Sequence, residues 1–246
     1  MSSPTFLTTA NGRIQVLETL ARQPSRGTLL CVHGGPNGDY HGNEGIFDEL
    51  ADHPGLDSFD VLQFSMRGYG KSDGTPQDIT LFSQVADFRS ILSTVTDRNP
   101  RSIHVVGESM GATIAALSWD TSVDSYIFLW PAFDLRDTDF SVYFTPEWRA
   151  AIDQNGFIED NGVVIGAEFY NQLLTYDFSD CFHIPNKPTF IAHGKRDVSV
   201  PFQQSLRATA EASGPVTLYA HPDAEHGFQR PEERMYIKTA LGKWLT

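Results

Sequence analysis

Gly107-Glu108-Ser109-Met110-Gly111 lies between an apolar, strand-like run, Ile103-His104-Val105-Val106, and a run of small residues suited to a helix, Ala112-Thr113-Ile114-Ala115-Ala116-Leu117. Bare Cα atoms two positions either side of a serine let strand and helix backbones approach closely. The serine can then occupy a sharp strand-to-helix turn with its hydroxyl turned out of the fold. The first N–H groups of such a helix have no partner within it and point to the same place, where developing negative charge can be held. The five letters alone also fit a surface turn with an incidental serine. The strand before and the helix after decide the reading.

Working outward, Thr28-Leu29-Leu30-Cys31-Val32 is a continuous apolar run, as expected of a strand buried on both faces of a parallel sheet, and it ends in the glycine-rich loop His33-Gly34-Gly35-Pro36-Asn37-Gly38. Before it, Asn11-Gly12 divides two alternating segments, which predicts an antiparallel edge pair. A helix over 46–51, a strand over 60–64 and a glycine-punctuated loop from Arg67 to Gly74 follow. Thr80 is placed to cap a helix whose apolar residues Phe82, Val85, Phe88, Ile91, Leu92 and Val95 recur at three-and-four spacing. Another strand is predicted over 124–130, and later strands over 189–192 and 216–219 alternate with helices over 202–212 and 231–245. This is the pattern of an α/β chain: a mostly parallel, doubly wound sheet with helices on both faces.

The alternation fails between 131 and 188, a stretch rich in aromatics and acids after the sixth strand. Helical patches near 146–154 and 167–174 and a turn at Asp160-Asn161-Gly162 are its only clear local signals. An interruption of this length is usually a lid or binding insertion, here read as a cap over the carboxyl ends of the strands of one domain, 1–246. Its aromatic residues Phe133, Tyr143, Phe144 and Trp148, with Trp130 at its root, are candidates to line an apolar substrate pocket, or else to pack the insertion onto the sheet. One of the lid carboxylates Asp134, Asp137 and Asp139 is a candidate to hydrogen-bond a substrate hydroxyl.

Composition excludes several functions. The 246 residues carry 31 acidic against 18 basic side chains, a formal charge of −13, which disfavours nucleic acid and anionic membrane surfaces as partners. Two cysteines, Cys31 and Cys181, do not make a disulfide framework, and no apolar run is long enough to span a bilayer. Residues 1–12 lack the charged and apolar regions of a secretory signal, so a cytoplasmic location is expected.

Acyl transfer through a serine needs a base for the hydroxyl proton, a carboxylate to orient that base, and donors for the oxyanion. The strand over 189–192 delivers His193-Gly194-Lys195-Arg196-Asp197, and the strand over 216–219 delivers His221-Pro222-Asp223-Ala224-Glu225-His226-Gly227-Phe228. Ser109 is the candidate nucleophile, Asp197 the orienting acid and His226 the general base. Asp197 also fits a solvated loop or a helix cap, and His221 competes with His226. The glycine after His226 favours it, because a tight loop is needed to swing the imidazole back over the sheet. His33 and His193 read as loop-ordering residues. Met110 N–H is one expected oxyanion donor by position, and Gly35 N–H the other, since Pro36 has none to give. No His/Cys/Asp cluster has metal-ligand spacing, and no cofactor is called for.

With His33-Gly34-Gly35, Arg67-Gly68-Tyr69-Gly70-Lys71-Ser72-Asp73-Gly74, Gly107-Glu108-Ser109-Met110-Gly111, Trp130-Pro131-Ala132, His193-Gly194-Lys195-Arg196-Asp197 and Glu225-His226-Gly227-Phe228 in place, the chain resembles the α/β-hydrolase superfamily over nearly its whole length. Within it, the small bacterial carboxylesterases of the cinnamoyl (feruloyl) esterase type are similar. The resemblance implies an α/β-hydrolase fold, cleavage of small-molecule carboxylic esters without a cofactor, and a lid that shapes the acyl pocket. His33-Gly34-Gly35-Pro36 is also similar to the loop of prolyl aminopeptidases, which makes a peptidase or amidase the main rival; a ligand-binding member without turnover is the reading from another class.

Overall fold

Strands buried on both faces leave no polar side for solvent, so their neighbours must cover them from above and below. In the computed structural model, which describes residues 3–245, this holds for the centre of the sheet. The strands β3 (Gly27–Val32), β6 (Ser125–Leu129) and β9 (Thr189–Gly194) are buried along their whole length, and β5 (Ile103–Glu108) at all but one position. Side chains alternate across them with the period of two that a strand imposes. Leu30, Val32, Val105, Tyr126, Phe128 and Ile191 face one core, while Leu29, Cys31, Val106, Ile127, Leu129 and Phe190 face the other.

The main sheet has eight strands in the order β1-β2-β4-β3-β5-β6-β9-β10, where β1 is Thr5–Thr9, β2 Gly12–Thr19, β4 Phe59–Ser65 and β10 Val216–His221. β1 and β2 form the expected antiparallel edge pair, β2 runs antiparallel to β4, and the remaining neighbours are parallel. One face is covered by α2 (Leu81–Asp97) and α6 (Gln203–Glu211), the other by α1 (Ile46–Ala51) and α7 (Pro231–Trp244); α3 (Met110–Ala116) packs beside α2. Thr80 caps α2 in a reciprocal capping box with Ser83, each side-chain oxygen accepting the other residue's N–H at 2.9 Å. Val85, Phe88, Ile91, Leu92 and Val95 are buried as their spacing suggested; at the start of α2 it is Leu81 that is buried, and Phe82 is half exposed, edge-on to Tyr176.

Residues 131–188 hold α4 (Pro146–Asn155), the hairpin β7 (Phe157–Asp160) and β8 (Val163–Gly166), and α5 (Ala167–Thr175). The turn at Asn161-Gly162 joins two short antiparallel strands that the local pattern did not announce, four residues each being too few to show alternation. The root of this lid is fastened to α6 by buried Gln204, whose Oε1 accepts the N–H groups of Phe133 (2.7 Å) and Asp134 (2.9 Å). Its Nε2 donates to the carbonyls of Asp134 (3.0 Å) and Asp137 (2.7 Å). No helix among the described residues is long and apolar enough to cross a membrane.

Candidate active site

Parallel register places the ends of β5, β6, β9 and β10 side by side: Glu108 pairs with Leu129, Leu129 with Ala192, and Gly194 with His221. The residues that follow each strand therefore emerge on one rim. Ser109 follows β5 with φ 49 and ψ −122, a conformation that a side chain adopts at a cost of about 1–3 kcal/mol. Three backbone bonds hold it there: Ser109 N–H to Leu129 O (3.0 Å), and Ala112 N–H (3.0 Å) and Ala132 N–H (3.1 Å) to Ser109 O. Both flanking glycines are required by packing. A side chain on Gly111 would overlap the Val32 carbonyl, and a Cβ on Gly107 would come within 2.9 Å of Gly111 O.

The structure brings the three candidate side chains together. His226 Nε2 lies 3.1 Å from Ser109 Oγ, and His226 Nδ1 lies 2.7 Å from Asp197 Oδ2. A carboxylate accepts, so Nδ1 carries a proton and Nε2 is free to accept from the serine hydroxyl. Asp197 is sequestered, its side chain without solvent exposure. Burial alone would push its carboxyl up. The hydrogen bonds from His193 and His226, the charge of His226 and Val200 N–H (2.8 Å to Oδ1) outweigh that and hold its pKa at about 2. The loop carrying His226 is pinned from α7 by buried Arg234, which donates to Phe228 O, Glu44 O and Glu49 Oε1, each at 3.0 Å.

His221 sits apart, accepting from Asp223 N–H at 3.2 Å. His33 orders its loop: Nδ1–H donates to Gly34 O at 2.5 Å and Nε2 accepts from Met66 N–H at 3.0 Å. Burial lowers its pKa from 6.5 to about 4. Gly35 and Met110 lie against each other, the Met110 side chain filling the space a Gly35 Cβ would take, and both line the cleft above Ser109. Gly35 N–H has no protein partner among the described residues.

That cleft, about 440 Å³, is walled by Met110, Trp130, Leu135, Phe140, Val163 and Val200. Of the residues nominated for substrate contact, Trp130 is on it; Phe133, Asp134, Tyr143, Phe144 and Trp148 are not among its lining. Phe133 packs edge-on to Phe128 and against Phe182, Tyr143 edge-on to Trp148, and Phe144 edge-on to Tyr170, while Asp134 pairs with Arg136 at 3.0 Å. Of the lid carboxylates, Asp139 reaches the cleft, beside Asp39 and Glu44 from the loop after β3.

Sequence reasoning passed over Glu108. It is 2% exposed, and its Oε1 accepts Gly34 N–H (3.0 Å) and Asn43 N–H (2.8 Å), tying the loop after β3 to the serine turn. Burial raises its pKa, against the pull of those two bonds, the charge of His226 and Trp130. An ionisable residue at the buried end of an apolar strand was the available signal. Arg234 gave none, since an arginine among Glu232, Glu233 and Lys238 looks like a solvated helix face.

A family model described as the alpha/beta hydrolase fold matches residues 27–139. The solved structure of Est1E from Butyrivibrio proteoclasticus with ferulic acid bound is similar over 98% of this chain and 97% of its own, at TM-score 0.78 and 18% identity. This chain has the α/β-hydrolase fold. A soluble variant of monoglyceride lipase from Saccharomyces cerevisiae, in complex with a substrate analogue, shares that fold at TM-score 0.78 and 15% identity, over 99% of this chain and 94% of that one. Among curated proteins, YfhR of Escherichia coli O157:H7 is 26% identical over 170 residues, 69% of this chain. The chain spans about half of that relative's length, 54%.

Proposed function

We propose that this chain is a serine hydrolase that cleaves carboxylic esters of short acyl or aromatic, cinnamoyl-type acids through an acyl-enzyme. The observation that carries the reading is the unbroken line from Asp197 through His226 to Ser109, at 2.7 and 3.1 Å, beside a partly apolar cleft. Ser109 Oγ attacks the ester carbonyl as His226 Nε2 takes its proton. Asp197 holds the imidazole in the accepting tautomer and stabilises its cation. The N–H groups of Gly35 and Met110 receive the charge that develops on the carbonyl oxygen. His226 then protonates the leaving alcohol, and water repeats the sequence to free the acid. The reading is supported by the ferulic acid held by Est1E and by the lipase among the fold relatives. It takes the enzyme as cofactor-free and cytoplasmic; cell fractionation checks the location.

The carboxylates Asp39, Glu44 and Asp139 beside the cleft would suit a substrate amine, which keeps a prolyl-aminopeptidase-like activity as the second reading. A panel of p-nitrophenyl esters of increasing chain length, with methyl ferulate and proline p-nitroanilide, separates the two. Ester turnover, with a fluorophosphonate adduct on Ser109 that is absent from Ser109→Ala, is expected. A folded protein that gives neither turnover nor adduct is a binding protein on this fold.

A further inference from the structure

Asp197 Oδ2 has two imidazole partners. His226 Nδ1 approaches it at 2.7 Å, and His193 Nε2 approaches the same oxygen from inside the protein at 3.1 Å. His193 is without solvent exposure and every polar atom of its ring is engaged. Nε2 also lies 3.1 Å from Val200 O, and Nδ1 lies 2.7 Å from Ser205 Oγ. Two acceptors around Nε2 fix a proton on that nitrogen, so Nδ1 accepts from the Ser205 hydroxyl. The Phe202 ring packs edge-on to the imidazole at 5.6 Å. His193 therefore presents a fixed N–H to the carboxylate and to the carbonyl of Val200, a residue of the cleft wall.

We propose that His193 is a positioning residue of the triad: it shares Asp197 Oδ2 with His226, fixes the carboxylate, and draws charge from the oxygen that faces the base. The inference rests on the hydrolase reading for its catalytic consequence but not for its electrostatic one. A donor on an anion weakens that anion's hold on a neighbouring cation. His193 thereby limits how strongly Asp197 holds the His226 cation. The titratable groups about His226 are Asp197 and Glu108, with Asp39, Glu44 and Asp139 on the cleft that it also lines; around His193 the structure shows Asp197, with Ser205, the Val200 carbonyl and the Phe202 ring uncharged. Both histidines act on one carboxylate oxygen, and the rest of its environment is backbone: Ser199 N–H (3.0 Å) and Val200 N–H (2.8 Å) occupy Oδ1.

The test is an NMR titration of the histidine rings in isotopically labelled full-length protein, run beside the pH profile of p-nitrophenyl acetate hydrolysis. In His193→Leu, which removes the donor and keeps the bulk, the His226 midpoint moves up by about half a pH unit or more, and the acid limb of kcat/KM moves with it. The plateau kcat falls about tenfold with KM unchanged, because a loosened carboxylate misdirects the base without touching substrate. His193→Gln, whose amide nitrogen can stand where Nε2 stands, returns the midpoint and limb toward the parent. Ser205→Ala, which frees the far side of the ring, gives a smaller move in the same direction and decides the matter if His193→Leu does not fold. A midpoint that stays put or falls in His193→Leu, or a Gln variant that does not restore it, overturns the proposal. If the parent protein turns over no ester, the hydrolase reading fails, while the ring titration still decides the role of His193.

Discussion

Asp197 receives four hydrogen bonds from the protein around it, whereas the tip of the lid meets the rim through a single one among the described residues, from Asn37 Nδ2 to Gly162 O at 2.8 Å. The serine turn, the acid and the histidine loop are each fixed by directional bonds from at least two elements. The lid is fastened at its root by Gln204 and further out by Gln172, whose Oε1 accepts Leu81 N–H of α2 at 2.7 Å, while its own elements pack on one another through aromatic rings set edge to face. The proposed proton transfer along 2.7 and 3.1 Å contacts would tolerate little displacement, so it demands atoms in set places at the rim. A surface that only excludes water and fits an acyl group can be built from many combinations of rings. Under the proposed function the contrast puts the chemistry in one region and selectivity in the other, and it can be broken at either end.

The largest effect is expected at the rim. Ser109→Ala lowers kcat for p-nitrophenyl acetate by about 10⁵-fold or more while circular dichroism stays unchanged. Asp197→Asn leaves the shape and costs about 10⁴-fold in kcat, since the amide can present an N–H where Nδ1–H needs an acceptor. A comparable loss from a lid substitution such as Trp148→Leu, or none from Asp197→Asn, would abolish the distinction between the two regions.

Arg234→Met removes the donors to Phe228 O of the histidine loop and to Glu44 O of the loop after β3, and leaves Glu49 with Lys238 alone. It should lower unfolding free energy by about 3 kcal/mol in urea melts and depress kcat as well. Acid should destabilise the fold as well. His33 and His104 are both held from 6.5 down to about 4, chiefly by burial, so the unfolded chain binds protons in a range where the native chain does not. Their stabilisation is complete above pH 6.5 and is lost as pH falls to about 4, by about 3 kcal/mol for buried His33. Glu108, raised by burial, opposes this in part. Asp197 adds its own loss as pH falls from the ordinary carboxylate range through about 2. A stability that rises between pH 7 and 5 in denaturant titrations would contradict the assignment. Asn37→Ala is the smallest of the set: it removes the tip contact, shifts KM across the ester panel a few-fold, and changes stability by about 1 kcal/mol or less.

The rim was legible in the sequence because its information is local. A glycine-flanked serine after a strand, and an aspartate and a histidine each just past a later strand, converge once the strands run parallel in register, and register follows from runs buried on both faces. The lid was not legible in the same way. Its length and position were, but which ring faces the cleft depends on how short helices and a hairpin of two four-residue strands settle on the domain. Of the eight nominated contacts, Trp130 and Asp139 are on the cleft and the other six are not among its lining. Glu108, Gln204 and Arg234 were missed for a related reason: each acts through bonds to backbone groups far away in the chain, and a side chain's distant partner leaves no trace in its own neighbourhood.

The absence of a side chain at Gly111 lets the carbonyl of Val32 rest directly on the first turn of α3, so Ser109 and the loop that carries Gly35 are parts of one seam between adjacent strands. Neither half can drift without opening the sheet at its centre. Hydrolytic competence should then disappear in urea together with the main cooperative transition, and turnover would serve as a gauge of how many molecules remain folded.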